Sequence, residues 1–147
     1  MLSRDFKEFV ELLNAHKVDY LVVGGYAMAL HGRPRQTGDL DIWLRRDAEN
    51  ARRLMLALTD FGFGQLGLTP DDFTQADRVV QLGYPPFRID LLTDIDGVTF
   101  DVAWPARQEF IHDGLTLHFI GLTALKANKR ASGRPRDLDD LEQLPEK

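Results

Sequence analysis

Cysteine is absent from the 147 residues, which excludes a disulfide framework and any thiolate metal site. A metal bound by this chain is therefore held by oxygen or imidazole ligands. Long apolar runs are missing too. The longest, Tyr20 to Leu30, is broken by Gly24 and Gly25 and falls short of the roughly 20 residues that span a bilayer. The first eight residues alternate charges and lack the apolar stretch of a signal peptide, so the expectation is a cytoplasmic protein with no membrane partner. Positive charge is also in deficit, with 18 Lys and Arg against 23 Asp and Glu and a net charge of −5. That balance argues against a surface that coats nucleic acid, since phosphate contacts need clustered cations. What the chain does have is 44% hydrophobic residues, enough for one core and one domain over residues 1–147.

The pattern along the chain alternates helix and strand. Ser3 caps a first helix with Phe6, Phe9, Val10 and Leu13 at helical spacing, ending near His16. Residues 18–23 read as a buried strand, broken by Gly24-Gly25 before a short helical run from Tyr26 to Leu30. The segment 39–44, Asp-Leu-Asp-Ile-Trp-Leu, alternates with period two and reads as a second strand. Asp47 caps a helix reaching about Asp60, and Thr69-Pro70-Asp71-Asp72 opens a short helical turn. Residues 78–82 and 87–92 form an antiparallel pair, and residues 99–107 a helix interrupted by Pro105. Asp113-Gly114 joins a hairpin, with helices over 122–130 and 135–144 closing the chain. Between Gly121 and Arg136 lies a basic strip of Lys126, Lys129, Arg130, Arg134 and Arg136 without an acid among them. It suits a local anionic ligand or a solvated helix face.

The residues that carry chemistry are acids. Asp39 and Asp41 stand two apart on one strand, so their side chains leave the same face within reach of a common ion. Asp90 interrupts the apolar strand 87–92 between Ile89 and Leu91, a costly placement for a buried acid unless a partner relieves it. Transfer of a phosphoryl group from a nucleotide needs divalent cations to neutralise developing charge, and hard cations want carboxylate oxygens. Gly24-Gly25 lets backbone N–H groups approach a phosphate, and the helix that follows adds a dipole favourable to anions. Other candidates fare worse. Asp94-Ile95-Asp96-Gly97 lacks acids at the first and twelfth positions of a calcium loop, which Leu92 and Ala103 would fill. The four histidines show no metal-ligand spacing, although His112 and His118 stand on opposite arms of the hairpin. Trp43 and Trp104 either stack a base or pack beneath helices.

The run from Gly24 to Asp41, Gly-Gly, a short helix, Arg35-Gln36-Thr37 and Asp39-Leu40-Asp41, resembles the signature of nucleotidyltransferases of the DNA polymerase beta-like superfamily. Leu122 to Lys126 and the Gly133-Arg134-Pro135-Arg136-Asp137 segment are similar to bacterial minimal members, including AbiEii-type toxins, though those usually carry a further helical region. The resemblance implies an α/β (α+β) nucleotidyltransferase fold, a mixed sheet flanked by helices. It also implies a metal-dependent enzyme that moves a nucleoside monophosphate from a nucleoside triphosphate such as ATP to a hydroxyl on RNA or protein. A toxin-antitoxin or defence role with an antitoxin partner would accompany it. Asp39, Asp41 and Asp90 would be catalytic and hold Mg2+ or Mn2+. Gly24, Gly25, Arg35, Thr37, Lys126 and Arg134 would bind nucleotide. A catalytically idle module that holds nucleotide or a partner is the alternative, and a sugar-nucleotide glycosyltransferase using Asp-x-Asp is a more distant one.

Overall fold

The structure, a computed structural model, describes residues 2–32, 38–84 and 86–146. Helix α1 (Arg4–Ala15) begins where the Ser3 hydroxyl accepts a hydrogen bond from the Phe6 N–H at 3.2 Å, satisfying one of the donors a helix start leaves free. Strand β1 (Tyr20–Val23) follows and runs without a loop into α2 (Gly24–His31). Then come β2 (Asp39–Leu44) and α3 (Ala48–Phe61), the latter capped by the Asp47 carboxylate on Asn50 N–H at 2.7 Å. After a 3-10 turn at Pro70–Phe73 the chain forms β3 (Val79–Leu82) and β4 (Arg88–Leu92). Helix α4 (Phe100–Ala103) is a single turn that tightens into a 3-10 turn at Trp104–Ala106, where Pro105 has no N–H to continue the helix. The hairpin of β5 (Gln108–His112) and β6 (Leu115–Phe119) precedes α5 (Leu122–Ser132) and α6 (Pro135–Gln143). The hairpin turns at Asp113 and Gly114, both at positive φ, as a two-residue primed turn requires.

The six strands form one mixed sheet in the order β3-β4-β2-β1-β6-β5. Strand β2 runs antiparallel to β1 and parallel to β4, and β1 runs parallel to β6. Mixed α/β architecture with helices on the sheet is thus the observed fold. Register divides the sheet into two unlike faces. One carries Tyr20, Val22, Leu40, Ile42, Leu44, Ile89 and Leu91, all buried. It meets α1 through the Tyr20 hydroxyl on Asn14 and through Phe6, whose ring stands edge-on to Phe87 at 6.1 Å. Side chains of this size contribute about 1.5–3 kcal/mol each on full burial, which makes this face the core.

The other face bears Asp39, Asp41 and Trp43 of β2 beside Arg88, Asp90 and Leu92 of β4. It is apolar at one end, where Trp43 packs edge-on against Phe100 of α4 at 5.1 Å, and acidic at the other. Helix α5 docks near this face through the turn before α4. Gly97 there leaves no room for a Cβ beside Ala131 and the Ala127 carbonyl, and Asn128 donates to the Asp96 carbonyl at 3.0 Å.

Candidate active site

The start of β2 and the start of β4 lie side by side, and parallel register sets Asp41 directly opposite Asp90 and Asp39 opposite Arg88. Three carboxylates from two strands non-consecutive in sequence thereby gather at one edge of one sheet face. The crowding has an electrostatic consequence. Burial pushes the Asp41 carboxyl up to about 6, and the neighbouring charges of Asp90 and Asp39 add to the rise while Arg88 opposes it. Asp90 is buried and Asp39 is two-fifths exposed, so the cluster is buried at its base and open at its rim.

Arg88 bridges the acids. Its Nε and Nη2 donate to the two oxygens of Asp90 at 2.8 and 3.1 Å, and Nη2 also reaches Asp39 Oδ2 at 3.1 Å. Sequence reasoning did not single out this residue. Its signal was faint: an arginine two before Asp90 shares that face of the strand, but only the β2–β4 register sets it against Asp39.

Gly24 presses against the cluster from β1's end. At φ +70° it turns the chain from strand to helix, and a Cβ there would overlap the Asp41 carboxylate. Both requirements favour glycine. The expected helix beginning at Tyr26 therefore starts two residues earlier, because Gly24 makes the turn and Gly25 is already in the first helical turn. The N–H groups of that turn lie at the acid cluster rather than in a separate loop.

A cavity of about 330 Å³ opens beside these residues, lined by Gly24, Gly25, Asp41, Lys129, Arg134, Arg136, Asp137 and Asp140. The far end of the basic strip thus shares a cleft with Asp41, but Lys126 is not among the lining residues. Lys129 is buried and committed, with Nζ at 3.1 Å from both Asp137 and Asp140. Arg134 extends into solvent but ties back to Asp137 at 2.9 Å, the ordinary ion-pair role open to it from the sequence. Burial would raise the Asp137 carboxyl, yet hydrogen bonds from Ser132, Lys129 and Arg134 outweigh it and hold the group at about 2. Arg136 is exposed on the same rim. Arg35 and Thr37, expected to bind nucleotide, lie outside the described residues.

The remaining candidates resolve into packing. Trp43 is buried and Trp104 stacks on Phe100 at 5.5 Å beneath the Arg107 guanidinium, so neither offers a free ring to a base. His112 and His118 do not meet, because hairpin register sets His112 against Leu115 and His118 against Glu109. A larger cavity, about 830 Å³, lies at the far ends of β2 and β4. Its arginines are paired, Arg45 with Asp19 and Asp101, Arg46 with Asp94, and none of Asp39, Asp41 and Asp90 lines it.

Residues 5–110, which contain Gly24, Gly25 and all three acids, match the sequence model of the aminoglycoside-2″-adenylyltransferase family. The chain belongs to that family. It is accordingly a nucleotidyltransferase, and the match points to the adenylyltransferase branch rather than to AbiEii-type toxins. No curated protein sequence matches it. Among solved structures, a protein of Thermotoga maritima described as a nucleotidyltransferase aligns with TM-score 0.57 at 16% identity, covering 95% of this chain and 87% of its own. The adenylyltransferase ANT(2″)-Ia bound to adenylyl-2″-tobramycin aligns at 0.55 and 12% identity over 94% and 84% of the two chains. The lincosamide antibiotic adenylyltransferase LnuA, with lincomycin bound, aligns at 0.51 and 14% over 97% and 96%. At these identities the likeness is one of fold, the nucleotidyltransferase fold. Within the adenylyltransferase family, the acids and Gly24 fall in the matched region, while the basic residues of α5 and α6 lie beyond it.

Proposed function

We propose that this family member is one nucleotidyltransferase domain that transfers the adenylyl group of ATP to a hydroxyl of a small cationic molecule of the aminoglycoside class, with Asp39, Asp41 and Asp90 as its catalytic acids. The observation that carries the reading is the register that sets Asp41 opposite Asp90 and two residues from Asp39, with Asp41 itself against Gly24 and opening into a cleft that Arg134 and Arg136 share. The acceptor oxygen forms a bond to the α-phosphorus, the bond from that phosphorus to the β-bridging oxygen breaks, and pyrophosphate leaves with the electron pair. Asp90, buried and directly opposite Asp41, takes the proton of the attacking hydroxyl. Gly24 and Gly25 present backbone N–H groups to phosphate, Arg136 and Arg134 face the outer phosphates, and Arg35, Thr37 and Lys126 complete the nucleotide site as the superfamily resemblance implies.

A divalent cation, Mg2+ or Mn2+, belongs in this reading. The donor set suits it: three carboxylates, no thiolates, and a like-charge penalty on Asp41 that a cation relieves. Among the described residues no group of three acids or histidines stands ready-made around a common point, and Arg88 bonds both Asp39 and Asp90. When bound, the cation would neutralise charge on the phosphates and the attacking oxygen.

The family match favours a small-molecule acceptor over the RNA, protein or antitoxin partners implied by the toxin resemblance. Incubation with each α-labelled nucleoside triphosphate, Mg2+, an aminoglycoside panel and cell extract, followed by separation of small molecules, RNA and protein, tests this. Label from ATP in the aminoglycoside fraction is the expected result. Label on RNA or protein instead overturns the acceptor assignment, and no label anywhere marks an idle binding module.

A further inference from the structure

Arg88 has the density of contacts of a ligand rather than of a bystander. Its fork engages both oxygens of Asp90 and, with the same Nη2, Asp39 Oδ2, so one guanidinium joins acids on two strands. Asp41, the third acid, lies outside the fork. The guanidinium engages both Asp90 oxygens and reaches Asp39, so a cation placed between Asp39 and Asp90 takes the position and the charge role that Arg88 now holds. The side chain is about a quarter exposed, which leaves it a path outward to solvent.

We propose that Arg88 is a built-in counter-ion for the acid cluster: it holds Asp39 and Asp90 together in the metal-free protein, is displaced when a divalent cation binds, and so sets metal affinity by direct competition. This rests on the reading of the three acids as a metal site. Two forces balance here. A guanidinium bound bidentately to a carboxylate is among the stronger charge-assisted contacts, so losing it opposes metal loading. Without it, Asp39 and Asp90 lose the guanidinium they share beside Asp41, so like-charge repulsion in the metal-free protein rises. The arrangement keeps the fold intact between loading events and prevents the site from holding its cation too tightly. If Arg88 only pre-oriented the acids for metal, its removal would weaken binding. Competition requires the opposite sign.

The test is Mn2+ binding to the whole protein without nucleotide, measured from the free-ion paramagnetic resonance signal, for wild type, Arg88→Met and Arg88→Lys, alongside melting temperatures with and without Mn2+. Arg88→Met is expected to bind Mn2+ roughly tenfold more tightly, the change that corresponds to 1.4 kcal/mol. It should also melt lower than wild type without metal and gain more on adding it. Arg88→Lys keeps the charge but loses the fork, and is expected between the two. It also serves where the methionine variant does not fold. Equal affinity of Arg88→Lys and wild type would mean that net charge alone matters, and weaker binding by either variant would mean pre-orientation. Either result overturns the proposal while leaving the metal site standing. Absence of Mn2+ binding in all three proteins removes the metal site itself, and the proposal with it.

Discussion

Asp41 concentrates the electrostatics of this protein in one side chain. Its carboxyl is raised from 3.8 to about 6 by burial and by Asp90 and Asp39. The native state therefore holds a proton on Asp41 that the unfolded chain has already released between about pH 4 and 6. Stability of the metal-free protein from this group is fully present below that window and is lost as pH rises through it. A rise of this size corresponds to a loss of no more than about 3 kcal/mol. Asp41→Asn carries no charge to repel its neighbours, so it should be more stable than wild type by roughly 1–3 kcal/mol at pH 7.5 without metal, with a flatter profile between pH 4 and 6. Urea denaturation across pH measures both. Mg2+ is expected to raise the melting temperature of the wild type and not that of this variant, since a ligand stabilises only the state that binds it. A variant less stable at pH 7.5 would mean that Asp41 is not strained by its neighbours, and one still stabilised by Mg2+ that it is not a ligand.

The helices and strands divide sharply in how far they could be read from the chain. The period-two run 39–44 became β2 with the same bounds, and Ser3 and Asp47 cap helices as their side chains suggest, because these signals are local. Arg88 against Asp39 and Asp90 against Asp41 depend on parallel pairing between β2 and β4, which α3 and β3 separate in sequence. No local pattern encodes that register. The α5–α6 pair shows the same limit. The basic strip was legible as a charge run, but not that Lys129 would turn inward between Asp137 and Asp140 while Arg134 and Arg136 stay outside. Lys129 therefore joins α5 to α6 and fixes the rim that carries the arginines. Lys129→Met removes the cation that joins Asp137 to Asp140 while Arg134 and Ser132 stay on Asp137, and breaking a buried pair in this way costs up to about 3–5 kcal/mol. The midpoint of chemical denaturation should fall accordingly, and Lys129→Met combined with Asp140→Leu should recover part of the loss. A methionine variant within about 0.5 kcal/mol of wild type would show surface-pair behaviour, and the clamp would be dismissed.

At the scale of the whole molecule, the net charge of −5 and the local basic rim sort the two substrates of the proposed reaction. On the proposed reading, a polyphosphate repelled by the overall charge is held by the rim formed by Arg134, Arg136 and the start of α2. A polycationic acceptor is drawn by the field of the entire surface and requires no dedicated basic or acidic strip. Long-range attraction of this kind is screened within about 8–10 Å at physiological salt, whereas close contacts in a cleft are screened far less. The apparent KM for an aminoglycoside acceptor should therefore rise several-fold between 20 and 300 mM KCl, on the order expected for steering of a multiply charged ligand. An acceptor with a single amine, such as a lincosamide, should change little if the enzyme uses it at all. The KM for ATP should shift in the same direction as the monovalent acceptor or less, because the repulsion and the rim's attraction weaken together as salt rises. Steady-state kinetics at fixed Mg2+ in both salts, with KCl replaced by an uncharged osmolyte as a control, make the comparison. Equal salt dependence for the polycationic and single-amine acceptors would mean that surface charge plays no part in acceptor choice and that selection lies wholly in contacts within the cleft.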